Sequence, residues 1–159
     1  MQTSEGVISE EYSLRPATTA DAAKVAALVN DAYGHYVERI GEPPGPMTED
    51  YRDVIGNRRV TVAESDEAMV GVIVLGVTDT GFAVENVAVH PSHRGRGLGR
   101  VLLVLAEAEA RRAGFDSICL YTHEKMIENL ALYARIGYIE YERRPQRGFS
   151  LVFMRKRLV

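Results

Sequence analysis

Cysteine is almost missing from this chain: Cys119 is the only one in 159 residues. That excludes an intrachain disulfide and a zinc site built on several thiolates, and it suits a reducing cytoplasm. Within I-C-L no His or Asn is placed to activate the thiol, so a buried structural role is expected for it. Long apolar runs are missing too. No stretch approaches the ~18 residues that a membrane span needs, and the opening M-Q-T-S-E-G-V-I-S-E lacks the charged and apolar regions of a signal peptide. An excess of positive charge is also absent. The 19 Lys and Arg against 22 Asp and Glu leave a formal charge of −3, the opposite of a nucleic-acid binder's basic footprint. No internal repeat or low-complexity tract stands out. What remains is 46% hydrophobic and 26% charged, a globular composition on a chain long enough for one domain with its own core.

Residues 1–11 show no periodicity and are read as a flexible tail, with a single domain over 12–159. Tyr12–Arg15 reads as a short strand stopped by Pro16. Thr18 and Asp21 resemble a capping box opening a helix whose period runs through Tyr33, with Gly34 ending it. Gly41–Pro46, with three prolines, is irregular, and is either a surface loop or one wall of a substrate pocket. Thr48 reads as the cap of a short helix over Glu49–Ile55, closed by Gly56. Val60–Glu64, Met69–Val77 and Phe82–Val89 form an antiparallel meander joined by short turns, with Gly71 and Gly76 as candidate bulges. Leu98–Ala113 is the longest helix, with Leu98, Val101, Leu102, Leu105 and Ala108 on one face and Gly114 as its left-handed cap. Asp116–Thr122 then runs parallel to the strand before that helix, because a crossover of this length joins parallel strands. A helix over Met126–Ile136 ends at Gly137, and a hairpin of Tyr138–Glu142 and Phe149–Arg155 closes the chain across Arg143–Gly148. The class is α/β (α+β), with a mixed sheet of about seven strands and one parallel pair.

The stretch V-E-N-V-A-V-H-P-S-H-R-G-R-G-L-G-R, Val84–Arg100, joins a strand, a glycine-rich turn and a helix start. Backbone N–H groups without intrahelical partners, the helix dipole and the arginines Arg94, Arg96 and Arg100 together form an anion cradle. Gly95, Gly97 and Gly99 allow close backbone approach. The spacing lacks the Lys-Ser/Thr pair of a P-loop. It also lacks the G-x-G-x-x-G of a dinucleotide fold.

R-G-R-G-L-G (Arg94–Gly99) resembles the [QR]-x-x-G-x-[GA] signature of the GNAT acyltransferase superfamily. V-A-V-H-P before it and E-N-L-A-L-Y-A-R-I-G-Y (Glu128–Tyr138) after it are similar to that family in the same order. So are L-R-P-A-T-T-A-D and F-M-R-K-R-L near the ends, so the likeness runs from about Ser13 to the C-terminus. The resemblance implies a seven-stranded, mostly antiparallel sheet with about four helices and a splayed parallel pair at the cofactor site. It implies that the N–H groups of Arg94, Gly95, Arg96, Gly97, Leu98, Gly99 and Arg100 bind the pyrophosphate of acetyl-coenzyme A. Val87, Ala88 and Val89 would pair with its pantetheine arm, and Asn129 would contact that arm. Tyr133 would protonate the leaving thiolate, with the Val89 N–H serving the oxyanion. The side chains of His93 and Arg96 carry no implied role. Glu85 stands where many members carry a base. By strand alternation it shares a face with Val87 and Val89, opposite Asn86, Ala88 and His90, and it either faces the cleft or is an exposed edge charge.

The expected activity is direct acetyl transfer to a primary amine; the contrasting reading is a non-catalytic acyl-coenzyme A-binding module. No metal is expected from His90, His93 and His123, whose spacing fits none. His123 is either a pocket residue or a solvated loop residue. Tyr33, Tyr36 and Tyr51 are candidates for lining the acceptor site. Arg143, Arg144 and Arg147 are either a solvated loop or a contact for an acidic acceptor. A homodimer is the family-based expectation, with no membrane or nucleic-acid partner.

Overall fold

The computed structural model describes residues 11–158. The tail read over residues 1–11 therefore lies, Glu11 apart, outside the described residues. Seven strands and four α-helices follow in the order β1 (Ser13–Pro16), α1 (Ala22–Ile40), α2 (Tyr51–Asn57), β2 (Arg59–Ser65), β3 (Ala68–Thr78), β4 (Gly81–Val89), α3 (Leu98–Arg112), β5 (Ser117–His123), α4 (Ile127–Ile136), β6 (Ile139–Gln146) and β7 (Phe149–Arg157). The sheet order is β1-β2-β3-β4-β5-β7-β6, and β4 and β5 pair parallel at Ala83–Cys119 and Val84–Leu120. The chain divides into two compact units, 11–74 with Asn86–Leu103, and Leu75–Glu85 with 104–158.

In the first unit β1 pairs antiparallel with β2, from Ser13 opposite Glu64 to Pro16 opposite Thr61. Proline is tolerated at the last position of an edge strand, where a donor is not needed. Arg15 grips Asp21 with two bonds of 2.9 Å and Glu64 with bonds of 3.1 and 3.2 Å. Asp21 also accepts from the Thr18 N–H at 2.8 Å, the reciprocal half of the capping box, ahead of a 3₁₀ turn over Thr19–Asp21. Helix α1 does not stop at Gly34. It continues to Ile40 and ends at Gly41, which is left-handed at φ 95°. An interior glycine costs only ~1 kcal/mol, less than is gained by burying Tyr36, 4% exposed, one half-turn further on. The cap of α2 is Asp50, whose carboxylate accepts from the Arg52 N–H at 3.1 Å. Thr48 instead donates to the Gly45 carbonyl at 2.8 Å, closing a 3₁₀ turn over Gly45–Thr48, so Gly41–Pro46 is not wholly irregular and Gly56 lies inside a helix.

Gly71 is a point of close approach. A Cβ there would lie 3.0 Å from Leu98 Cδ2 and 3.3 Å from both Leu102 Cδ1 and Ala63 Cβ. The buried face of α3 is Leu98, Leu102, Leu103, Leu105, Ala106 and Ala110; it keeps the expected Leu98, Leu102 and Leu105, whereas Val101 and Ala108 are half-exposed.

In the second unit β5 and β7 pair antiparallel from Ser117–Arg157 to His123–Leu151. β6 is an edge strand, exposed along its length, and runs to Gln146, so the closing turn is confined to Arg147 and Gly148, both at positive φ. A bulge between Glu140 and Glu142, Pro145 and the pairs Arg143–Glu140 and Arg144–Glu142, each 2.7 Å, discourage edge-to-edge pairing. The basic hairpin is thus an ion-paired strand. Gly114 and Gly137 are left-handed, as expected of helix ends.

Two substitutions test this framework. Gly71→Ala should cost on the order of 1–2 kcal/mol by overpacking against Leu98 and Leu102, which are 1% and 0% exposed; an unchanged urea midpoint would refute the close packing. The bonds from Arg15, then that from Thr18, hold the Asp21 carboxyl well below the usual range. A depressed pKa stabilises the fold above the unfolded value of ~3.9 and loses that effect as pH falls through the lower folded value. Asp21→Asn should therefore lose roughly 1 kcal/mol at pH 7, discounted for the partly exposed Arg15. The gap from wild type should shrink in acid unfolding below ~pH 4.

Candidate functional site

The glycine turn is built in three steps. β4 ends at Val89, and a short 3₁₀ turn over Pro91–His93 follows, begun by the His90 side chain, whose Nδ1 accepts from the Ser92 N–H at 3.1 Å. His93 Nδ1 lies 3.1 Å from Tyr12 Oη. Arg94 donates its guanidinium to the Ala32 carbonyl of α1 at 2.6 Å. Gly95 and Gly97 then take φ of 77° and 86° with open space where a Cβ would point, a backbone that L-residues adopt only with strain. Helix α3 starts at Leu98, whose side chain is buried at 1% exposure. Val101 N–H takes the Gly97 carbonyl at 3.0 Å, so the N–H groups of Leu98, Gly99 and Arg100 precede any α-helical carbonyl partner. Arg96 and Arg100 are exposed beside them. This geometry suits an anion at the positive end of a helix. Arg94, expected with them for its positive charge, also ties the turn to α1 through its side chain.

The strand feeding this turn is pinned from behind. Asn86 is buried, an amide inside an apolar strand. Its Oδ1 accepts from the Tyr33 hydroxyl at 2.8 Å, and that hydroxyl also lies 3.0 Å from the Val87 carbonyl. Asn86 Nδ2 donates to Tyr51 Oη at 3.2 Å, and Tyr51 donates to the Pro46 carbonyl at 2.6 Å. Burial pushes the Tyr51 hydroxyl above the ordinary tyrosine range, keeping it a donor. Tyr33, Tyr36 and Tyr51 are 7%, 4% and 5% exposed. Through these bonds Tyr33 and Tyr51 are held to Asn86, and Tyr51 joins the proline-rich turn to it. Sequence reasoning missed Asn86, although an amide in V-E-N-V-A-V was the signal.

Along β4, Glu85, Val87 and Val89 are partly exposed while Asn86 and Ala88 are buried, matching the expected alternation. Glu85 lines a cleft of about 300 Å³ that also includes Cys119, Tyr121 and Phe153. Cys119 is buried at 2% exposure, 3.2 Å from Thr80 Oγ1 and 3.4 Å from the Phe82 carbonyl, so the thiol is structural in its surroundings. On α4, Asn129 and Tyr133 are four residues apart, one above the other on one helix face. Tyr133 is buried, edge-on to Tyr138 with ring centroids 6.0 Å apart. Among the described residues Tyr138 Oη is buried with no hydrogen-bond partner, and burial raises its pKa. His123 is buried and stacks on Phe149 at 4.0 Å, not a solvated loop residue. Val87–Val89 and Arg94–Arg100 thus belong to the first unit, and Glu85, Asn129 and Tyr133 to the second. Among the described residues no group of three His, Cys, Asp or Glu could hold a metal, and no helix is long and apolar enough to cross a membrane.

Comparison with known proteins agrees with this geometry. No curated protein matches the chain in sequence. Among solved structures, YncA from Salmonella typhimurium, with its cofactor acetyl-CoA, is 26% identical, with a TM-score of 0.72 over 94% of this chain and 95% of that one. PaiA N-acetyltransferase from Thermoplasma acidophilum, in complex with coenzyme A, is 16% identical, with a TM-score of 0.75 over 92% and 98%. The ribosomal-protein-S18-alanine N-acetyltransferase from Escherichia coli is 19% identical, with a TM-score of 0.74 over 92% and 94%. The last two show the shared fold alone. The model of the acetyltransferase (GNAT) domain matches residues 56–140, more than half of the chain and all of the stretch from β2 through the glycine turn to α4. The chain belongs to the GNAT acetyltransferase family.

Proposed function

We propose that residues 12–159 act as one domain that transfers the acetyl group of acetyl-coenzyme A to a primary amine. The observation that carries this reading is the turn of Gly95 and Gly97, left-handed and open, at the start of α3 in the connection that follows β4. The first-turn N–H groups and the exposed Arg96 and Arg100 bind the pyrophosphate. The Val87–Val89 backbone pairs with the pantetheine arm, and Asn129 contacts it from α4. YncA carries acetyl-CoA on the same fold, which supports the donor.

In the reaction the amine nitrogen bonds to the thioester carbonyl carbon and the C–S bond breaks. The amine reaches the site as an ammonium near its pKa of ~10.4 and must lose a proton before attack. Glu85 receives that proton, directly or through water. The N–H of Val89 steadies the oxyanion, and Tyr133 gives its phenolic proton to the departing sulfur, to be reprotonated from solvent. Products are the acetamide and free coenzyme A, with no covalent enzyme intermediate, in keeping with the structural setting of Cys119. The protein works in the cytoplasm, and a homodimer is its assembly.

Thiol release from acetyl-coenzyme A over a panel of amines tests the reading, with little background expected from the single buried cysteine. Coenzyme binding with no turnover on any amine would replace it by a non-catalytic acyl-coenzyme A-binding module. Tyr133→Phe should lower kcat on the order of 10²-fold while coenzyme A affinity stays nearly constant; wild-type kcat would remove the acid. Glu85→Gln should flatten the acidic limb of the pH–rate profile, and an unaltered profile at full rate would remove the base.

A further inference from the structure

Three successive residues of α1 meet the stretch proposed to hold the coenzyme. Asp31 Oδ2 lies 3.6 Å from His90 Nε2, an ion pair only when the imidazole is protonated. The Ala32 carbonyl accepts from the Arg94 guanidinium at 2.6 Å. The Tyr33 hydroxyl, with its one proton, faces two acceptors, Asn86 Oδ1 at 2.8 Å and the Val87 carbonyl at 3.0 Å. Adjacent residues of one helix thus hold both the strand segment proposed for the pantetheine arm and the turn proposed for the pyrophosphate. Helix geometry fixes those residues relative to one another, so α1 sets the distance between the two.

The contact at Val87 bears on the arm. Its carbonyl belongs to a planar peptide, so a bond on the oxygen holds the whole plane. A carbonyl oxygen has two lone pairs. One is directed at Tyr33, and the plane held in this way aims the other. The hydroxyl is itself held, since Tyr33 is buried and Asn86 is bound on its far side by Tyr51. A group aimed before its ligand arrives costs less to order on binding. We propose that Tyr33 is a positioning residue for the coenzyme, aiming the Val87 carbonyl so that it accepts from an amide N–H of the pantetheine arm. This rests on the acetyl-coenzyme A reading above and adds a residue to it.

The test is calorimetric binding of two ligands to the free protein: coenzyme A, and its nucleotide diphosphate half, which keeps the pyrophosphate and lacks pantetheine. Tyr33→Phe keeps the buried ring and removes only the hydroxyl. We expect it to weaken coenzyme A binding by roughly 5-fold to 10-fold, the range of one net hydrogen bond, and to leave the half-ligand within about 2-fold. In turnover the KM for acetyl-coenzyme A should rise while that for the amine holds. Asn86→Ala breaks the same network but leaves Tyr33 its Val87 acceptor, so the ratio of the two affinities should hold there. An equal loss for both ligands in Tyr33→Phe, no loss for either, or a change confined to the KM of the amine overturns the inference. So does a ratio that falls as far in Asn86→Ala, which assigns the effect to the network, or a wild-type protein that binds coenzyme A no better than its half. Selective loss of coenzyme A binding in Tyr33→Phe, without turnover of any amine, supports the role of Tyr33 and sinks acetyl transfer instead.

Discussion

The first turn of α3 can lie where it does only because residue 71 has no side chain. Leu98 and Leu102 fill the space that a Cβ on β3 would claim, at 3.0 and 3.3 Å from its position. Packing at this density leaves the helix start almost no freedom to slide. The contact fixes Leu98, and Leu98 is the first residue after the glycine turn. A helix start displaced by a few tenths of an ångström would re-aim every N–H in the cradle, and anion binding by backbone donors depends on their convergence. Arg94 reinforces the same position from the other side of the turn through the Ala32 carbonyl.

The Asn86 network extends that rigidity into β4. A buried amide is destabilising unless its donors and acceptor are met. Here both ends of the amide are met by tyrosine hydroxyls, from α1 and from α2. The proline-rich turn joins through Tyr51 and Pro46. Removing one member leaves others unsatisfied in a dry setting, so the cost of a break is shared among elements and the network holds as a unit. Its consequence for the site is direct, because Tyr33 also reaches the carbonyl of Val87, a residue of the segment assigned to the pantetheine arm.

Much of the fold was legible because period and punctuation agreed. The strand alternation gave the meander to within about two residues, and Gly114 and Gly137 closed their helices where the left-handed cap was expected. Gly34 and Gly56 misled, since an interior glycine is a modest penalty that tertiary burial overrides. Thr48 reads as the cap of α2, but its hydroxyl is taken by the 3₁₀ turn over Gly45–Thr48, and Asp50 caps the helix instead. Long-range pairings were invisible: nothing local joins Tyr33 to Asn86, 53 residues on, or Arg94 to Ala32. At the site, the anion-binding turn was readable because one contiguous stretch makes it. The cleft was not, because it is assembled from the end of β3 and the turn after it and from β4, β5, β6 and β7.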